Sequence, residues 1–174
     1  MESSYWLFTW RTYGSWLPGQ EGFVGHYRAP SGRRVIDHDH GTPTAADSPG
    51  LEGYARSVMR AAPVVLSPVQ ADAVLAQLHE TARFRGRVVV AVAVLATHVH
   101  LVFGAPGLPD SARMLADWKG YASRALSLLT PEAVDSVWWA EKGSKRRLLD
   151  ENSVNRATSY VRDQLHPLTT WVRA

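Results

Sequence analysis

The chain has 174 residues, of which 45% are hydrophobic and 20% charged, so it is long enough for one globular domain and too apolar for a disordered chain. It contains no cysteine, which excludes disulfides and thiolate-bound zinc and limits any metal site to nitrogen and oxygen ligands. The net charge of +3 leaves nucleic acid open as a partner, whereas the lack of a signal-like segment and of a long apolar run predicts a cytoplasmic protein without a membrane partner.

The first half of the chain predicts one strand, a long insertion and one helix. Residues 5–12 are rich in aromatic side chains and threonine, as is typical of a strand. The following segment, about residues 13–66, exceeds ordinary loop lengths, so we expect a single domain over residues 1–174 that carries this insertion. Ser67 and Pro68 then begin an apolar periodicity that predicts a helix to about residue 85, capped by the serine hydroxyl.

The second half predicts two hairpins and two helices. Apolar periodicity, capping residues and turn residues mark their limits. The elements are strands at residues 87–95 and 98–103 with a tight turn at 96–97, a helix from an Asp110 cap to about residue 129, a hairpin at 137–141 and 145–149 turning at 142–144, and a helix from Asp150 or Asn152 to about Leu165.

The order strand, helix, strand, strand, helix, strand predicts an α+β fold. It is the order of a ferredoxin-like (RRM-like) sandwich, in which an antiparallel sheet carries two helices on one face. The last helix can then lie against the open face of the sheet.

The segment His98-Val99-His100 lies within the apolar run of residues 91–103. Residues two apart in a strand share a face, so the two imidazoles would lie side by side while Val99 points into the core. Imidazole is a common metal ligand, and the triplet therefore predicts a metal site. The alternative is a pair of hydrogen-bonded histidines with a structural role.

Tyr160 and Gln164 are four residues apart in the last predicted helix, which places them on one face one turn apart. A hydroxyl nucleophile and an amide oxygen could thus converge on the same ion as the histidines. Tyr121 is a competing nucleophile, although Ala125 rather than a ligand follows it four residues later, and Asp163 is an alternative ligand to Gln164.

The triplet followed by Tyr-x-x-x-Gln resembles the single-tyrosine HUH transposases of the bacterial insertion-sequence type and their relatives associated with repetitive extragenic palindromes. The resemblance implies the same fold, Tyr160 as nucleophile, and His98, His100 and Gln164 as ligands of a divalent metal ion. It also implies single-stranded, hairpin-forming DNA as partner, a 5′-phosphotyrosine intermediate resolved by strand transfer, and either a monomer or a homodimer. Mixed nitrogen and oxygen ligands suit Mg²⁺ or Mn²⁺.

Other functions remain open at this point. A replication-initiator or relaxase-like nickase would use the same chemistry. A module that binds single-stranded nucleic acid without cleaving it could use the same sheet scaffold, although it has no need for all four of His98, His100, Tyr160 and Gln164.

Basic and aromatic residues also indicate a nucleic-acid surface, with solvated surface as the simpler alternative. We expect one of the adjacent Trp138 and Trp139 to lie outside the main core as a base-stacking platform, because neighbours in a strand face opposite sides. A second His-x-His pattern at residues 37–40 is more simply a solvated loop. The candidate DNA-binding residues are Lys142, Lys145, Arg146 and Arg147 in one cluster and Arg33 and Arg34, near Arg28, in another.

Overall fold

The computed structural model describes residues 3–21, 23, 27–28, 34–36, 46–131 and 137–174, with the backbone alone at 27–28 and 34–36. The chain divides into two compact units, one formed by the residues up to Tyr13 together with Val64–Ala174 and one by Gly14–Pro63. Among the described residues, no helix combines the length and the apolar character needed to cross a membrane.

The elements follow one another along the chain with short connections in the larger unit. In chain order they are β1 (Ser3–Thr12), β2 (Tyr27–Arg28), β3 (Arg34–Ile36), α1 (Pro49–Ser57), α2 (Pro68–Phe84), β4 (Val88–Val94), β5 (His98–Pro106), α3 (Ser111–Leu129), β6 (Trp139–Leu148), α4 (Glu151–Arg162) and β7 (Thr169–Val172).

The larger unit is built on a five-stranded sheet in the order β6-β1-β5-β4-β7, with every neighbouring pair antiparallel. Its first four strands have the order of a ferredoxin-like sandwich, so the predicted α+β fold class is confirmed. The register places Thr9 opposite His100 and Arg11 opposite His98. The sequence did not predict β7, a short strand that extends the sheet by pairing with β4.

One face of the sheet is covered by α2 and α3 over the main hydrophobic core. Alternate residues of β1, namely Trp6, Phe8 and Trp10, point into this core. The predicted cap of α2 is confirmed, because the Ser67 hydroxyl accepts a hydrogen bond from the backbone N–H of Gln70. This cap satisfies one of the free amide groups at the helix start.

The opposite face carries α4 over a smaller apolar cluster. Ala157 and Val161 of the helix are buried against Ala91, Ala93 and Val102 of the sheet, and the alanines leave room for the helix to approach. Of the two predicted caps, Asp150 is the one used, since its carboxylate accepts the Ser153 backbone N–H at 2.6 Å. The sheet thus separates α4 from the other two helices of the larger unit.

The prediction of a hairpin at residues 137–149 is wrong. A single strand, β6, runs through this region and pairs along β1. Gly143 suggested a turn, but it permits a close approach instead: a Cβ there would lie 2.8 Å from the Thr9 carbonyl oxygen and 3.0 Å from Leu115 Cδ2. Sequence alone does not separate these two uses of glycine.

The expectation that Trp138 or Trp139 lies outside the core is also wrong. Both side chains are only 6% exposed and belong to the main core. Their indole N–H groups donate to Ser127 Oγ and to the Lys119 carbonyl oxygen. Because β6 begins at Trp139, the strand pleat does not constrain Trp138, and neither indole offers a platform for base stacking.

The smaller unit lies within the predicted insertion and contains a helix, α1, that the sequence did not predict. Glu52 of α1 accepts hydrogen bonds from Gln20 at 3.1 Å and from Arg56 at 2.8 Å, which ties the helix to the preceding loop. The second His-x-His pattern, at residues 37–40, lies outside the described residues.

Candidate active site

The two histidines of the triplet lie side by side on the α4 face of the central strand β5. The centroids of the His98 and His100 rings are 4.9 Å apart, whereas Val99 between them is fully buried in the main core on the other face. This is the arrangement that alternation in a strand predicts. The β4–β5 turn that precedes it is confirmed, since the Leu95 amide donates to the His98 carbonyl oxygen at 2.9 Å.

His100 is buried, with 4% of its surface exposed. Its Nδ1 is hydrogen-bonded to Thr9 Oγ1 at 2.7 Å, while Nε2 has no hydrogen-bond partner among the described residues. Burial, with the nearby His98 and Arg11, lowers the pKa of His100 to about 4. The ring is therefore neutral at pH 7, which is the form that binds a metal ion.

His98 is held in a similar way. Its Nδ1 is hydrogen-bonded to Thr97 Oγ1 at 3.1 Å, and burial followed by the charge of Arg11 lowers its pKa. Metal-binding histidines commonly donate from one ring nitrogen to a fixed neighbour and use the other as ligand. In both rings Nδ1 is hydrogen-bonded to a threonine hydroxyl, which leaves Nε2 as the candidate ligand atom.

Tyr160 contacts His100 of the same chain. Its ring meets the His100 ring edge to face, with centroids 5.2 Å apart, and 51% of the residue is exposed. The buried neighbour Val161, one position on, anchors this turn of α4 to the sheet. The helix turn that carries the phenol is thus anchored to the sheet, while about half of the tyrosine surface is exposed.

The competing Tyr121 lies on α3, which packs on the opposite side of the sheet. Its ring contacts Phe84 at 6.2 Å between centroids and lies beneath the guanidinium groups of Arg85 and Arg124. The structure therefore does not bring Tyr121 to the histidines.

Gln164 lies beyond the end of α4, since the helix stops at Arg162 rather than continuing to Leu165 as predicted. The Gln164 Nε2 donates to the Tyr160 carbonyl oxygen at 2.9 Å, which keeps the carboxamide close to the turn that carries the tyrosine. Asp163, the alternative ligand, is paired with Arg162 at 2.8 Å. Among the described residues, no group of three or more His, Asp or Glu side chains could hold a metal ion, so a site at the two histidines would need a ligand of another type.

Sequence reasoning missed Arg11 and Thr9. Both belong to β1 and face the same side as the histidines, because they stand opposite His98 and His100 in the register. Burial lowers the pKa of Arg11, and the nearby Tyr160 partly offsets this effect, so the guanidinium lies within electrostatic range of the phenol. Only the pairing of β1 with β5 brings these residues to the site, and no local signal in the sequence reveals that pairing.

The basic residues predicted to form one cluster at 142–147 all lie on β6, which places their side chains in different surroundings. Arg146 stands opposite Leu7 and lines a groove of about 420 Å³ that also reaches Tyr160. Lys145 points to the α3 side, where its charge adds to the larger effect of burial in lowering the pKa of Lys119. Arg147 lines a separate groove of about 870 Å³ near the start of α4, and Lys142 is exposed on the same strand.

The second basic cluster is not described at the level of side chains. Arg33 lies outside the described residues, and only the backbone of Arg28 and Arg34 is described, in β2 and β3. The assignment of these residues to DNA binding stays a prediction.

No protein-family model matches the sequence, and no curated protein matches it either. Two solved structures are similar. One is a REP-associated tyrosine transposase bound to a REP hairpin, with a TM-score of 0.53 and 12% identity over 92% of this chain; the present chain spans 66% of that one. The other is a putative transposase from Deinococcus radiodurans R1, with a TM-score of 0.50 and 16% identity over 95% of this chain and 94% of that one. The resemblance predicted from the triplet and the tyrosine is therefore confirmed at the level of structure: this chain has the fold found in tyrosine transposases.

Proposed function

We propose that this protein is a single-tyrosine DNA strand transferase of the transposase type, with Tyr160 as nucleophile. The observation that carries the proposal is the contact between the half-exposed Tyr160 ring and the buried His100 ring, whose Nε2 lacks a partner among the described residues. A replication-initiator or relaxase-like nickase would use the same first step, and transfer to a second DNA end separates the two functions.

In the proposed reaction the Tyr160 oxygen attacks the phosphorus of a phosphodiester in single-stranded DNA. A bond forms between the phenol oxygen and phosphorus, the bond from phosphorus to the 3′ oxygen breaks, and the phenol proton passes through solvent to that 3′ oxygen. The products are a 5′-phosphotyrosine and a free 3′-hydroxyl. Because the adduct keeps a phosphodiester, the reverse attack by another 3′-hydroxyl completes strand transfer without a nucleotide cofactor.

The residues present fit a divalent metal ion. His98 and His100 are neutral and anchored through Nδ1. Gln164 Nε2 donates to a backbone carbonyl oxygen, which leaves Oε1 available to bind a metal ion. These three side chains would hold Mg²⁺ or Mn²⁺. When bound, the ion would polarise a phosphate oxygen and stabilise charge on the leaving oxygen.

Arg11 supplies a second source of positive charge on the same face. Its guanidinium is half-buried and lies within electrostatic range of Tyr160. A guanidinium can bind a phosphate through two parallel hydrogen bonds. We infer that Arg11 orients the scissile phosphate toward the phenol oxygen.

We propose single-stranded DNA next to a hairpin as the substrate. The first structural neighbour is bound to a REP hairpin, and Arg146 of β6 and Arg156 of α4 line the groove that reaches Tyr160. Tyr160 and His100 of the same chain meet, which supports a site formed within one chain, and a homodimer stays a prediction.

The test is capture of a covalent protein–DNA adduct. The protein is incubated with Mn²⁺ and a library of single-stranded oligonucleotides in which randomised sequence flanks a fixed hairpin. We expect an adduct that survives denaturation, whose DNA defines the cleaved sequence and whose peptide carries the nucleotide on Tyr160. Tyr160→Phe should give no detectable adduct, since it lacks the attacking oxygen, while Tyr121→Phe should retain it.

An adduct of undiminished yield in Tyr160→Phe would contradict the proposal. Tight DNA binding by the wild-type protein without any adduct, with Mn²⁺ or with Mg²⁺, would instead support the binding module. Metal removal with a chelator should abolish the adduct. The chelator should not change the thermal unfolding of protein that was prepared without metal.

A further inference from the structure

A groove of about 420 Å³ runs between β6 and α4 and reaches Tyr160. Arg146 lies on the β6 wall and Arg156 on the α4 wall, with Leu7 and Ala157 as apolar surface between them. The remaining lining residues are small and polar or belong to the candidate site, namely Thr9, Ser144, Ser153 and Tyr160. A groove with cationic walls and an apolar floor matches a sugar-phosphate backbone better than a neutral small molecule.

The two arginines come from elements that are distant along the chain. Arg146 pairs with Leu7 and Ser144 with Thr9, so both project toward α4, while Arg156 lies one helical turn before Tyr160. In the parts of the chain that the structure describes, neither guanidinium forms an ion pair with a carboxylate. Two cations thus lie on opposite walls of the groove. Hydrogen bonds from Ser153 and, to a smaller extent, the charge of Arg156 lower the pKa of Asp150, so one carboxylate lies near Arg156 without forming an ion pair with it.

We propose that this groove holds the nucleotide adjacent to the scissile phosphate, with its phosphate bracketed by Arg146 and Arg156. The proposal rests on Tyr160 as the nucleophile. Arginine binds phosphate as a planar fork, and two forks on separate walls fix a phosphate in position as well as attract it. Fixing the neighbouring phosphate limits the positions of the scissile one, and such orientation contributes to rate.

The first measurement uses binding alone, so that it does not depend on cleavage. Fluorescent oligothymidylate of about 12 nucleotides is titrated with Tyr160→Phe protein, without divalent ion, over a range of salt concentrations. The logarithm of the association constant falls with the logarithm of the salt concentration, and loss of one phosphate contact makes this negative slope shallower by about 0.7 for single strands. We expect this change from Arg146→Ala and from Arg156→Ala, each with about tenfold weaker binding.

Two variants serve as controls. Arg113→Ala removes the same charge from an exposed position on α3, across the sheet, and should leave the slope unchanged. Arg156→Lys keeps the charge and should keep the slope while losing affinity, because an ammonium group lacks the fork. A structural defect would not distinguish lysine from alanine in this way.

The second measurement tests adjacency. On a DNA whose cleavage site has been mapped with the adduct, single linkages are replaced by neutral methylphosphonates. A neutral linkage next to the scissile phosphate should remove the difference in Kd between wild type and Arg156→Ala, whereas more distant replacements should preserve it.

Each outcome bears on one proposal. Equal slopes for wild type and both alanine variants, an equal loss from Arg113→Ala, no measurable binding of oligothymidylate, or coupling only to distant linkages would overturn the groove assignment and leave the strand transferase standing. If both alanine variants show a shallower salt dependence but the wild-type protein forms no adduct, the transferase proposal is overturned. The groove then remains as the backbone site of a binding module.

Discussion

The two faces of the sheet carry different kinds of side chain, although the same strands form both. β5 contributes Val99, Leu101 and Phe103 to the core under α2 and α3, where aromatic rings pack at centroid distances such as 4.9 Å for Phe8 and Phe103. Its alternate residues, His98 and His100, face α4. One face thus carries most of the buried apolar core and the other the candidate site.

The α4 face has the features expected of a functional surface. Its apolar cluster is small and rich in alanine. Beside it lie a buried ring nitrogen with no hydrogen-bond partner among the described residues, a half-buried arginine and a half-exposed tyrosine. Unsatisfied polar groups cost free energy. Among the described residues they occur on both faces, since the indole nitrogens of Trp10 and Trp118 in the main core also have no hydrogen-bond partner, so the histidine pair and the half-exposed tyrosine are what distinguish the α4 face. Variants on the two faces should therefore separate stability from function.

The largest expected effect on stability comes from Phe103→Ala. His100→Ala, on the same strand but on the other face, is the variant compared with it. Phe103 is fully buried between Phe8 and Trp118, so its truncation should lower the free energy of unfolding by about 3–5 kcal/mol. His100→Ala should lower it less and should weaken Mn²⁺ binding by more than about 100-fold, since it would remove one of the three proposed ligands. Urea unfolding and titration calorimetry measure the two quantities.

The comparison fails if the two variants behave alike. A His100→Ala protein that still binds Mn²⁺ with unchanged affinity would remove the metal site from this face. A Phe103→Ala protein that stays folded but loses Mn²⁺ binding would show that the two faces are coupled.

A smaller effect is expected from Thr9→Val, which sharpens the comparison within the functional face. The substitution keeps the shape of the side chain and removes the hydroxyl that lies 2.7 Å from His100 Nδ1. Loss of a group that orients a ligand typically weakens metal binding by about 10–100-fold. Calorimetry with Mn²⁺ checks this, and Thr81→Val, at a buried position of α2 on the other face of the sheet, is the control. Equal metal affinity in Thr9→Val and wild type would show that the hydroxyl does not orient the ring.

Local patterns were sufficient for most elements of the larger unit. Ser67 and Pro68 marked the start of α2, and Asp110 that of α3, because capping is a property of a few adjacent residues. The prediction failed at Gly143 and at the end of α4, where contacts with other elements decide the outcome. The short β7 was missed for the same reason, since its pairing with β4 defines it.

For the candidate site, the sequence by itself determined that His98 and His100 share a face and that Tyr160 follows a capped helix start, because strand and helix periodicities are local. Only the tertiary structure decided which tyrosine meets the histidines, and it brought Thr9, Arg11, Arg146 and Arg156 to the same face. Strand register and helix docking depend on burial summed over many distant residues, and no short stretch of sequence contains that sum.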